Sequence, residues 1–203
     1  MKRFLPAIAL SLFVAQLLIM LVSWLYSAAN PTSGVHSLLS SEGLRWYMGH
    51  FADVLATPLL VYVLLLSMAC GVAVKSGMLL TFAGTQKGAF RERRARVITL
   101  LLLLVYIGVL LLLTSLPHAV LLSATGQLWP SPFSSSLVPV IAFGITLMSS
   151  SYGIIAGRFN SLVQLYESLL YGIRLGAPCL LFYVLLIQIY ESLKFILPPN
   201  PYF

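Results

Sequence analysis

This chain of 203 residues is 60% hydrophobic and only 8% charged, with a mean hydropathy of +0.98. Those proportions exclude a water-soluble fold of this size, because too few polar side chains remain to cover it. The net charge of +7 does not point to a nucleic-acid partner, since six of the twelve basic residues stand in one segment between two apolar runs. There the positive-inside rule accounts for them.

A helix needs roughly 20 apolar residues to cross a bilayer. Five runs of that kind predict spans at about Phe4–Ala28, Ala52–Val74, Val97–Leu116, Leu137–Gly157 and Leu175–Leu197. Strands of a membrane barrel would instead alternate over about ten residues. The predicted fold is all-α, a polytopic transmembrane helical bundle forming one integral membrane domain over residues 1–203.

Lys2 and Arg3 open the first span. Its apolar run exceeds the ~7–15 residues of a cleaved signal peptide, which predicts a retained helix. Trp24 and Tyr26 near its far end suit the aromatic belt. Ser40, Ser41 and Glu42 then start an amphipathic segment reaching about Leu55. Its apolar residues Leu44, Tyr47, Met48, Phe51 and Leu55 follow helical spacing, and Ser40 or Ser41 suits the N-cap. An interfacial helix is expected, with Pro58 steering the chain into the second span.

That span carries the small pair Ser67 and Gly71, and is followed by Lys75, Lys87, Arg91, Arg93, Arg94 and Arg96. The uncharged segment 118–136 contains Trp129, Pro130, Pro132 and Phe133. Two prolines argue against a regular helix there and suggest an interfacial anchor. In the fourth span Ser149, Gly153 and Gly157 recur every four residues, beside Ser150 and Ser151. Such a stripe lets another helix approach closely. A second amphipathic stretch, 159–173, reads as a separate interfacial connector. Gly176, Ala177 and Pro178 then predict a kink opening the fifth span.

Ten basic residues fall on one side of the five crossings, and only Arg45 and Lys194 on the other. This predicts a cytoplasmic N-terminus and an external C-terminus, in the inner membrane of a bacterium. Arg91, Arg93, Arg94 and Arg96 are the candidate contacts for anionic lipid headgroups. The candidate polar and packing positions are Ser149, Ser150, Gly153, Gly157, Glu191 and Lys194. Glu191 and Lys194 are one turn apart near a membrane surface, which suits a structural ion pair. Cys70 and Cys179 read as small packing residues, and His36, His50 and His118 as loop histidines rather than metal ligands. Phosphate-binding loops, nucleophile elbows and zinc-protease motifs are missing from the sequence. No cofactor and no enzymatic activity are expected.

The segment from His36 to Leu80 resembles the early part of the p-aminobenzoyl-glutamate transporter (AbgT) family. The features that carry it are Leu38-Leu39-Ser40, Gly43-Leu44-Arg45-Trp46, Pro58-Leu59 and Gly71 followed by Lys75-Ser76-Gly77. Tyr152 to Phe159 and the stretch after it are similar to a later region. The resemblance implies a dimeric inner-membrane transporter, with two re-entrant hairpins holding substrate and coupling ion. No polar hairpin tip stands between these spans, so none of that family's site residues maps here. The expectation is a short, AbgT-like scaffold acting as an accessory or packing partner, alone as a homo-oligomer or beside another membrane protein. The alternative expectation is a small organic-acid transporter that works as an oligomer.

Overall fold

The computed structural model describes residues 4–30, 34–82, 90–115 and 132–197. Lys2, Arg3, Lys87, His118, the aromatic–proline knot at Trp129-Pro130 and the tail 198–203 lie outside them. Among the described residues eight helices follow in order: α1 (Phe4–Ala29), α2 (Ser41–Gly49), α3 (Phe51–Leu55), α4 (Pro58–Ser76), α5 (Met78–Phe82), α6 (Phe90–Ser115), α7 (Pro132–Ile155) and α8 (Leu162–Ile196). Five of them, α1, α4, α6, α7 and α8, are long and apolar enough to cross a membrane. The chain is an all-α, multi-pass membrane protein.

Two compact units divide the chain, and α4 and α8 each contribute to both. The first comprises residues 1–61 and 177–203. Here the amide of Gln16, halfway along α1, donates to the Ser192 hydroxyl at 2.8 Å in a buried contact. One turn back from Ser192, the buried Gln188 Nε2 has no partner, and neither has Gln16 Oε1. Ser23 receives the backbone N–H of the fully buried Leu38 at 3.2 Å. Ser40 caps α2 by accepting from Gly43 N at 3.0 Å. Gly43 is required because a Cβ there would strike the Ser37 carbonyl and Leu38. Trp46 stacks on Phe195 with ring centroids 4.5 Å apart. Burial lifts the neighbouring Tyr47 phenol above its ordinary range, which keeps it neutral. The expected helix from Ser41 to Leu55 is divided at His50, whose backbone (φ −99°, ψ 6°) leaves the helical region.

The second unit, Tyr62–Gly176, is held by close backbone approach. Gly71 of α4 and Gly172 of α8 face each other, and a Cβ on either would collide with the other's backbone. Ser67 meets Gly176 one turn away. Small residues four apart allow this in lipid, where dispersion contact has to replace the hydrophobic effect. Between α6 and α7, the Tyr106 ring lies on Gly144 and its hydroxyl donates to the Val140 carbonyl at 2.8 Å. Tyr152, fully buried, shares a 2.7 Å hydrogen bond with Thr81.

Four expectations change. The amphipathic stretch 159–173 is not a separate connector. Its helical part forms the opening turns of the 35-residue α8, which continues through Pro178. Gly172 and Gly176 must stay in one helical register to meet α4, and membrane helices tolerate the lost N–H of a proline. Next, α7 already begins at Pro132, because proline is accepted in the first helical turn. The second span starts at Pro58 rather than Ala52, since Ala56 and Thr57 break the helix before it. Finally, Cys70 and Cys179 are free and exposed, so they are not packing residues within this chain.

Candidate functional site

The described charged residues of the second unit gather at one end of its helices. Helix α7 closes with Gly157 at φ +77°, while Arg158 N bonds Gly153 O at 2.8 Å and Gly157 N bonds Ile154 O at 3.1 Å. That is a Schellman termination, and glycine suits its left-handed residue. It turns the chain back so that the Phe159 ring fills the space over Gly153. Ser161 and Gln164 then start α8 reciprocally. Ser161 Oγ accepts from Gln164 N at 3.4 Å, and Gln164 Oε1 accepts from Asn160 N at 2.7 Å. The pattern is close to a capping box.

Arg158 reaches across to Glu92 of α6 at 3.3 Å. Its guanidinium also lies against Gly77, itself at φ +72°, where a side chain would displace it. Lys75, in the last turn of α4, places its ammonium 4.6 Å from the Tyr171 ring centre. Between these groups lies a cavity of about 500 Å³, bordered by Lys75, Arg158, Gln164, Glu167, Tyr171 and Arg174 among others. Three cations face it with one carboxylate. Gln164, Glu167, Ser168, Tyr171 and Arg174 recur every three or four residues, so one helix face supplies them. The opposite face bears Leu162 and Tyr166, both exposed. The amphipathic stretch thus borders the cavity with its polar side, where Gln164, Glu167 and Arg174 stay exposed, and presents an apolar face on the other side.

The four arginines expected to act together are dispersed. At 100° per residue, Arg91, Arg93, Arg94 and Arg96 point around the whole circumference of α6. Arg91 packs 3.1 Å from where a Cβ on Gly157 would stand. Arg94 covers the Phe90 ring at 4.9 Å, Arg93 is exposed, and Arg96 is half-buried with an unpartnered Nε.

The small-residue stripe of α7 is also divided among separate tasks. Ser149 is fully buried, donating to Met78 Sδ at 3.8 Å, and Ser150 donates to the Thr146 carbonyl at 2.7 Å. Gly153 receives the Phe159 ring and Gly157 ends the helix, so the stripe presents no continuous groove. In the first unit, Lys194 and Glu191 pair at 3.6 Å within α8. His36 lies against Phe195 and His50 against Trp46. No group of three or more His, Cys, Asp or Glu that could hold a metal occurs among the described residues.

Three features escaped the sequence reading. Gln16 stands alone in an apolar run, and its polarity halfway along a span was the available signal. The stripe Ser168-Gly172-Gly176 was legible as small residues four apart. The convergence of Lys75, Arg158 and Arg174 was not, because they are far apart in sequence. No protein-family model matches this chain, and neither does any curated protein or solved structure.

Proposed function

We propose that this chain is an inner-membrane protein with an AbgT-like scaffold that acts as an accessory or packing partner and carries no complete transport site. The observation that carries this reading is the exposure of two spans. Only 6% of the apolar stretch of α1, and 6% of that of α6, is buried within the chain. Helices apolar on every side offer their surface to lipid or to a further helix. The polar groups within the spans also support the reading. The Gln16 amide N–H is used on Ser192, Tyr152 on Thr81, and the Ser150 hydroxyl on its own helix, which leaves Gln16 Oε1 and Gln188 Nε2 as unpartnered neutral amide atoms. Glu191 has Lys194 beside it. Ion coupling needs oxygen ligands or titratable groups reached alternately from both sides.

Purified protein in liposomes with an imposed ion gradient tests this. The expected result is no saturable uptake of a labelled aromatic acid. Saturable uptake that disappears in Glu191→Gln or Ser150→Ala would show a working transporter instead.

A further inference from the structure

We propose that the cavity bordered by Lys75, Arg158 and Arg174 is a built site for the phosphate group of an anionic phospholipid. It goes beyond the accessory role above and does not depend on whether the chain transports anything. Three observations carry it.

The first is charge. Three cations converge on one cavity with Glu167 as the carboxylate on its lining. Glu92 engages Arg158 through Nη2, and a guanidinium has five N–H donors, so others remain. Gln164 keeps its amide N–H₂ free of the bond its oxygen makes to Asn160. The positive N-terminal end of α8 begins at the same place, adding to an anion's attraction. Converged like charges repel unless a counter-charge joins them, and Arg groups with ammonium and amide donors match phosphate oxygens.

The second is depth. Lys75 stands one residue before the end of α4, and Arg174 one residue before the apolar run of α8 that starts at Leu175. Tyr171, one turn from Arg174, touches Lys75, and both cations border the cavity beside it, with the Arg174 backbone set deeper than that of Lys75 by the antiparallel Gly71–Gly172 crossing. The cavity thus lies at the border of the hydrocarbon, where one leaflet carries its phosphates. The length of α8 agrees: 35 residues rise about 52 Å, well beyond a core of about 30 Å, so its first turns lie in the headgroup region.

The third is surroundings. Leu162 and Tyr166 are 83% and 60% exposed on the outer side of the same turns. An outward apolar face suits acyl chains and headgroups, not bulk water. The cavity volume of about 500 Å³ lies within the range of small-ligand sites.

The test places purified protein in phosphatidylcholine nanodiscs doped with phosphatidylglycerol and counts retained anionic lipid by native mass spectrometry, at about 0.15 M salt. The variants are Lys75→Gln with Arg174→Gln, and Arg93→Gln with Arg94→Gln, which remove equal charge from the cavity and from the open face of α6. A charge near the surface contributes about fivefold in affinity, so the cavity pair should lose roughly twenty-five-fold. The α6 pair should lose clearly less, because Arg93 and Arg94 share their surface pocket with apolar residues and no third cation. The charge-preserving pair Lys75→Arg with Arg174→Lys controls for folding and should retain most binding. Equal losses in the two Gln pairs would reduce the effect to diffuse attraction and overturn the site. No loss in the cavity pair would overturn it as well. Displacement of the lipid by soluble glycerol 3-phosphate would assign the cavity to free phosphate esters, and the lipid assignment would fall.

Discussion

Gly71 and Gly172 meet backbone to backbone where α4 crosses α8, with Ser67 and Gly176 extending the contact by one turn. Nothing larger than hydrogen fits at either glycine. The crossing also fixes which face of α8 turns toward Lys75, so packing and the basic cavity depend on one pair of residues.

Replacing Gly172 with Val should therefore separate the two helices. Overpacking costs typically about 1–3 kcal/mol, and here neither partner is a flexible side chain that can yield. Gly108→Ala, where an added Cβ meets nothing, should stay within about 0.5 kcal/mol of the parent. Steric-trapping or denaturant unfolding in micelles reads both. Equal behaviour of the two variants would contradict the close crossing.

The Gln16–Ser192 contact predicts energetic coupling between α1 and α8. Gln16→Leu and Ser192→Ala should each destabilise, and a double-mutant cycle should recover about 0.6 kcal/mol of interaction, the usual worth of such bonds in a membrane. A cycle that closes additively would mean that the two side chains do not bond.

At Gly157 the left-handed backbone sets the cost. An Ala at φ +77° should lose about 1–2 kcal/mol, with Asn losing less because it tolerates that region. Thermal unfolding of the purified protein ranks the three side chains. Ala equal to Gly would remove the Schellman termination from the account.

Sidedness follows from the distribution of basic residues. In a background with Cys70 and Cys179 replaced by Ala, cysteines at Arg93 and Asn160 should react with an impermeant maleimide from the cytoplasmic side. A cysteine at Glu42 should react from the outer side. Labelling of all three from one side would end the five-crossing arrangement.

The class of this protein was legible in the sequence because lipid imposes a length and composition that no other solvent requires. The five runs and the Ser40 cap needed only local information, since span length and capping are properties of neighbouring residues. The tertiary structure decided everything that joins distant residues. It divided the Ser149-Gly153-Gly157 stripe between a buried hydroxyl, an aromatic cover and a helix end, because Gly157 turns the chain back onto Gly153. The dispersal of Arg91 to Arg96, by contrast, needs only the 3.6-residue turn of α6 itself. The tertiary structure also gathered Lys75, Arg158 and Arg174, drawn from α4, the α7–α8 turn and α8, around one cavity. Composition records how many charges a membrane protein carries, but the close approach of Gly71 to Gly172 and the turn at Gly157 determine which distant ones meet.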